Sequence, residues 1–432
     1  MGSLVIIGKW FLLTLGALTA AAWLGCALAV RRLRRGRPLP VKNGREAQPI
    51  EPAPLSSALR SSAPRRPLAR QPTPRRAGRR YAGRDRSWSG RLLLAGAGGL
   101  AVTLTLATAA DLVNAHYSYL PRLDDVLGVH SWPTASSREA VAATPIRTHP
   151  QGSVVSLAVP GVHSGFGTQQ ALVYLPPQYF TEPRVRFPVV YLMHGSPGVP
   201  VDWYRANRAA QTGAWLAGHG RPVILVAPRL SNGWLDDSEC VDRPSEHIET
   251  YVVDDVIPTV DARLRSRPDR ADRIFAGMSA GGFCALNLGL RHRDLVGTII
   301  DMSGMDRPTH DGGMIGLFGH RPDLSHVVAA NTPAVYAAHL PATPPMRVWL
   351  DCGRGDRESY SDTRYMAATL GARPGFQVEL RLRPGGHDFG VWRPALRDGL
   401  AWALEVRTTV TVRLPLRPAT TAHHTRSRAV RA

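Results

Sequence analysis

"RIFAGMSAGG", residues 273–282, is the stretch on which the reading of this chain turns. An apolar run, Arg273–Ala276, leads into Gly277-Met278-Ser279-Ala280-Gly281, and the helix-compatible "GFCALNLGL" follows at residues 282–290. Gly-x-Ser-x-Gly alone is weak. In a chain with 41 glycines it arises by chance on the order of 0.2 times, as an ordinary Gly-rich turn. Between a strand and a helix it has a physical meaning. A sharp turn lifts the serine hydroxyl out of a sheet and sets it at a helix N-terminus, where the dipole favours developing negative charge. Small residues two places either side are needed because the strained turn presses the backbone against its neighbours. Ser279 is therefore the expected nucleophile.

A serine hydroxyl is a poor nucleophile at neutral pH and needs a base. In such a sheet the partners follow in the order Ser, Asp or Glu, then His. His387 sits in "RPGGHDFGVW", just past the last apolar run, on a Gly-rich loop able to bring it over the sheet. His292, His310, His320, His326 and His339 lie on helical stretches or in an insertion and read as surface residues. The acid that orients the base is expected after the strand "MRVWLDCG", where "RGDRES" offers Asp356 first and Glu358 as the alternative; Asp351 falls inside the strand. Two backbone N–H groups must meet the tetrahedral oxygen. One is expected from Ala280. The other is expected from Ser196, with Gly195 the runner-up, in the loop that closes "VVYLMHGSPG". His194 precedes the nucleophile, so it reads as a loop-positioning residue.

Outward from the motif, short apolar runs alternate with helical stretches from Val154 onward. Strands are expected at Val154–Ala158, Ala171–Leu175, Val189–Met193, Val223–Ala227, Arg273–Ala276, Val296–Met302, Arg347–Asp351 and Val378–Leu382. Helices are expected at Tyr251–Leu264 and Gly282–Leu290, among others. Strands alternating with helices give an α/β class with a mostly parallel sheet covered on both faces. The first two strands have little between them, so they are expected to open the sheet as an antiparallel hairpin. The insertion Asp306–Pro345 is expected to line the substrate pocket.

The formal charge of +20 is concentrated outside this region. Residues 31–91 hold 18 Lys and Arg against 3 acids, and the tail after Glu405 adds 6 Arg and no acid. The body between them is close to neutral, so a nucleic-acid partner is not expected. Trp10–Val30 is an almost unbroken apolar run, and Leu92–Ala110 is a second, each near the length of a bilayer-spanning helix. A cleaved signal peptide would carry its positive charge before the first run, whereas here "RRLRRGR" comes after it. For the second run the competing reading is a buried core helix. The expected organisation is a transmembrane helix in 1–30, an Arg/Pro-rich disordered cytoplasmic loop in 31–91, and a second transmembrane helix in 92–113. An extracytoplasmic linker in 114–153, a catalytic domain in 154–406 and a basic disordered tail in 407–432 complete it. The Arg-rich loop fixes the topology through the positive-inside rule and puts the catalytic domain outside, with the lipid bilayer as a partner. Four cysteines, Cys26, Cys240, Cys284 and Cys352, form no C-x-x-C pair. In an oxidising compartment Cys240 is the expected disulfide member, with Cys284 or Cys352 as its partner; three buried free thiols are the alternative.

These pieces resemble a known family. "PVVYLMHGSPG" with Asp202-Trp203 after it, "ETYVVDDVIPTVDARL", "RIFAGMSAGG" and "GGHDFGVWRPALRDGLAWAL" are similar, in order, to the esterase D-like esterases. That family includes feruloyl esterases and the mycobacterial mycolyltransferase antigens. The two-helix leader with "NAHYSYLPRLDDVLG" resembles membrane-anchored actinobacterial members. The resemblance implies an α/β-hydrolase fold, a Ser279–Asp356–His387 triad and no metal or organic cofactor. One departure concerns the acid: the mycolyltransferases use Glu after a "CGNG"-like strand end, and "CGRGDRES" offers both acids. The functions implied are hydrolysis of a small-molecule or lipid ester through an acyl-serine, or acyl transfer to a sugar or cell-envelope acceptor. A catalytically inactive surface-binding scaffold is the alternative of a different class.

Overall fold

The computed structural model describes residues 9–35, 86–119, 132–135 and 149–406. Of the expected disordered loop in 31–91, residues 36–85 lie outside the described residues, while 31–35 and 86–91 are helical; most of the expected linker and the tail in 407–432 also lie outside. The chain divides into two compact units, Val5–Ala115 and the part from His116 onward.

The first unit holds helix α1 (Lys9–Arg35) and most of helix α2 (Arg86–Tyr117). Within them Leu13–Arg31 and Leu94–Tyr117 are long and apolar enough to cross a membrane. Their few polar groups meet each other: the Thr19 and Thr108 hydroxyls lie 2.9 Å apart, and Trp23 Nε1 donates to Thr105 Oγ1 at 2.9 Å. The second apolar helix is longer than the sequence indicated and ends where Ser118 takes a left-handed φ of 52°.

The second unit is built on eight strands: β1 (Ser153–Gly161), β2 (Gly167–Leu175), β3 (Val189–Met193), β4 (Ile224–Ala227), β5 (Arg273–Met278), β6 (Thr298–Met302), β7 (Met346–Gly353) and β8 (Phe376–Arg383). They form one sheet in the order β1-β2-β4-β3-β5-β6-β7-β8. β1 and β2 pair as the expected antiparallel hairpin, β2 runs antiparallel to β4, and β3 to β8 are parallel. This is an α/β-hydrolase fold. The central strands read as unbroken apolar runs because helices cover both faces. In β3, Val189, Tyr191 and Met193 face a core completed by Tyr251, Leu286 and Leu370, while Val190 and Leu192 face one completed by Trp203, Trp392 and Leu396.

The helices that matter for the site are α3 (Val201–Arg205), α4 (Ala209–Gly218), α5 (Ile257–Arg263), α6 (Ala280–Arg291), α7 (Tyr360–Gly371) and α8 (Phe389–Ala403). The expected helix at Tyr251–Leu264 is present but not uniform. Tyr251–Val256 is π-helical, and Pro258, which has no N–H to offer the α-helical ladder, opens α5 directly after it.

Candidate active site

Ser279 lies between β5 and α6, at the N-cap of α6, with φ 56° and ψ −128°, a conformation that non-glycine residues rarely adopt. The motif's glycines permit it. A Cβ on Gly277 would stand 1.7 Å from the Gly281 carbonyl oxygen, and one on Gly281 would stand 2.0 Å from that of Met193. The turn is held from both sides: the Ser279 N–H donates to Met302 O of β6, and its carbonyl accepts from the N–H groups of Gly282 and Phe283.

His387 lies on the loop between β8 and α8. Its Nε2 is 2.8 Å from Ser279 Oγ, and its Nδ1 is 2.9 Å from Asp356 Oδ2. The Trp392 and His387 rings lie perpendicular with centroids 5.0 Å apart, and Asp388 caps α8 by accepting from Gly390 N. Asp356 follows β7 and is 2% exposed. Burial pushes its carboxyl up, but the hydrogen bond and charge of His387, with hydrogen bonds from Ser359 and Ser303, outweigh that and hold it well below the usual carboxylate range. Asp356 Oδ2 also accepts from Ser359 Oγ at 2.7 Å, and Oδ1 accepts from the N–H groups of Glu358 and Ser359.

The structure separates the two acids that the sequence left open. The Glu358 side chain is 70% exposed, and its Oε2 lies 3.6 Å from Nε2, the ring nitrogen already on Ser279. Asp351 is inside β7, paired with Arg383. Glu249 takes His292 Nε2 at 2.7 Å, and His310, His320, His326 and His339 lie at least partly exposed.

The loop after β3 passes directly beside Ser279: a Cβ on Gly195 would lie 3.2 Å from Ser279 Cβ. His194 is buried, and desolvation lowers its pKa to about 4, so it is neutral. Its Nε2 accepts from Leu230 N at 3.2 Å, which leaves the proton on Nδ1 to donate to Gly195 O at 3.0 Å. Because the Gly195–Ser196 amide is planar and trans, fixing its carbonyl fixes the Ser196 N–H on the opposite side. Among the described residues, no group accepts from the N–H of Gly195, Ser196 or Ala280. Gly195, Ser196 and Ala280 line a small cleft with His194, Leu230, Ser231, Asp236, Asp237, Ser238 and the Cys240–Cys284 disulfide. Thr309, in the expected pocket-lining insertion Asp306–Pro345, donates through its N–H to Glu239 Oε1 at 2.6 Å, beside this lining.

The disulfide selects Cys284 as the partner of Cys240; Cys352 is a buried free thiol with its Sγ 3.6 Å from Asp356 Oδ2. The thiol and the Ser359 hydroxyl around the acid were missed from sequence. Only the spacing of a Ser three residues after Asp356 could have pointed to the latter. The arrangement holds a hydroxyl, an imidazole and a buried carboxylate in one hydrogen-bonded line, a geometry able to move a proton off the hydroxyl as it attacks a carbonyl.

A search of curated proteins finds an uncharacterized protein of Corynebacterium glutamicum, 28% identical over 325 residues, which cover 70% of this chain and 75% of that protein. It also finds an esterase of Mycobacterium tuberculosis, 29% identical over 157 residues, covering 36% of this chain and 33% of that protein. Among solved structures, a ferulic acid esterase superposes with a TM-score of 0.51 at 23% identity, over 60% of this chain and 99% of that one. It supports the fold. The model of the family described as "Putative esterase" matches residues 167–403, more than half of the 432. The chain therefore belongs to that esterase family, the serine-hydrolase-type enzymes of the α/β-hydrolase fold.

Proposed function

We propose that this protein hydrolyses carboxylic esters through an acyl-serine intermediate at the outer face of a cell membrane. The observation that carries the reading is the continuous line Ser279 Oγ, His387 Nε2, His387 Nδ1, Asp356 Oδ2. Ser279 Oγ attacks the ester carbonyl as His387 Nε2 takes its proton, and the Ala280 and Ser196 N–H groups receive the oxyanion. Collapse of the tetrahedral intermediate breaks the ester C–O bond, and His387 returns the proton to the leaving alcohol. Water then attacks the acyl-serine with His387 again as base, releasing the acid and restoring Ser279. Asp356 holds the imidazole in the tautomer with its Nε2 lone pair toward Ser279 and stabilises the imidazolium. That an Asp, not a Glu, sits at Nδ1 favours the esterase reading over the mycolyltransferase pattern. Membrane attachment is supported by the two apolar helices, and the outer side by the Cys240–Cys284 disulfide, since such bonds persist in oxidising compartments.

The test is turnover of p-nitrophenyl esters of increasing chain length by the full chain, with fluorophosphonate labelling in parallel. Ser279→Ala is expected to abolish labelling and to lower kcat by several orders of magnitude. A wild-type protein that neither labels nor turns over any ester would make the fold a binding scaffold. Products formed only when a sugar acceptor is added would make it a transferase.

A further inference from the structure

The segment that leaves helix α2 enters the supports of the active site. The Tyr119 hydroxyl donates to Asp202 Oδ1, a carboxylate on α3 that is 1% exposed. The other oxygen of Asp202 accepts from Val199 N at 2.8 Å, which folds the chain from Gly195 to Val201 back on itself. The Tyr119 and Phe389 rings meet edge-to-face with centroids 5.2 Å apart, and Phe389, two residues after His387, meets Trp392, the ring beside the imidazole, in the same way at 4.9 Å. Arg393, one turn further along α8, donates to both Ser118 O and Ala206 O. Residues 118 and 119 thus touch the base of the loop that carries Ser196 and the base of the loop that carries His387.

We propose that Tyr119 is a positioning residue for catalysis, setting the Ser196 loop through Asp202 and the His387 loop through Phe389. The proposal rests on the esterase reading above. Asp202 is a carboxylate taken out of water, and burial pushes its carboxyl up while the Tyr119 hydroxyl opposes the shift. Without the phenol it retains the Val199 N–H as its partner, and a buried acceptor short of donors moves toward water or takes a proton. Either response shifts the Gly195–Val201 turn, whose amide must meet the oxyanion to within a few tenths of an ångström.

The experiment uses the full chain in detergent micelles, p-nitrophenyl acetate as substrate, and kcat normalised to fluorophosphonate-titrated sites. Tyr119→Phe, which keeps the ring on Phe389, is expected to lower kcat per site about tenfold, with KM within about twofold and the thermal midpoint nearly unmoved. In an Asp202→Asn background the same change is expected to cost nothing more, because the phenol acts through that carboxylate. The proposal is overturned if kcat per site is unchanged, if the loss appears only as fewer titratable sites, or if the two substitutions multiply. If the wild type turns over no ester, the esterase reading fails separately, and the labelling rate of Ser279 then carries the same comparison between variants.

Discussion

Asp356 and Glu358 sit two residues apart in one loop, yet they meet opposite nitrogens of the same imidazole. Only the partner at Nδ1 can hold the tautomer that presents an Nε2 lone pair to Ser279, and only a buried partner keeps its charge unscreened. Asp356→Asn is therefore expected to lower kcat on the order of a thousandfold or more, and Glu358→Gln to change it by less than about threefold. Steady-state kinetics on one ester decide the matter, and a crippled Glu358→Gln with an active Asp356→Asn would reverse the assignment. The other histidine of consequence is His194, whose role is to hold a peptide. Burial lowers its pKa to about 4, against 6.5 in an unfolded chain. Between those values the unfolded chain binds a proton that the folded one does not, so stability rises with pH through the window and is lost as pH falls from 6.5 toward 4. The size is roughly 3 kcal/mol at most. His194→Asn is expected to flatten this slope in urea titrations between about pH 4.5 and 7; an unchanged slope would show that His194 is not held neutral.

At the level of elements, every strand overlaps a run named from the sequence, most plainly β3 to β6, whose burial along their whole length selects apolar residues. The ends were less legible. β8 runs Phe376–Arg383, beyond the apolar Val378–Leu382, since the edge strand pairs through its backbone regardless of side chain. Ser279 and His387 were legible because a strained turn and a Gly-rich loop leave marks in local sequence. The acid was legible only as a pair of options, since the choice depends on which carboxylate the chain turns inward. The partner of Cys240 was equally undecided: it depends on the path of the loop after β4 across α6, which no local pattern records. That bond ties residues 44 apart, joining the wall of the cleft to the helix that begins beside Ser279. Loop-closure entropy puts its contribution at about 4 kcal/mol. The Cys240→Ala, Cys284→Ala double variant is expected to unfold at correspondingly lower denaturant, and the Ser279 labelling rate to fall as the cleft wall loosens. A variant as stable as the wild type would argue that the bond does not form.

For the whole molecule, the net charge of +20 describes two segments flanking a nearly neutral enzyme. Residues 31–91 join two helices that are each long and apolar enough to cross a bilayer. If both helices cross, a segment with 18 basic residues and 3 acids between them is expected on the cytoplasmic side, because translocating it opposes both the membrane potential and the attraction of anionic lipid. The helices give the hairpin its own polar contacts through Thr19, Thr108, Trp23 and Thr105, and in lipid each such bond is worth roughly 1 kcal/mol. If α2 crosses once, the chain beyond Tyr117 emerges on the opposite side from the basic segment, in the compartment where Cys240 and Cys284 can stay oxidised. The arrangement is testable with a membrane-impermeant maleimide on whole cells, in a Cys26→Ser background. Ser361→Cys, at an exposed position on α7, is expected to label in intact cells, and Ser56→Cys only after permeabilisation. Labelling at Ser56→Cys alone in intact cells would invert the topology and put the enzyme in the cytoplasm. Labelling of neither position before permeabilisation would mean that the basic segment and the enzyme share the inner side, with α2 folded away from the bilayer.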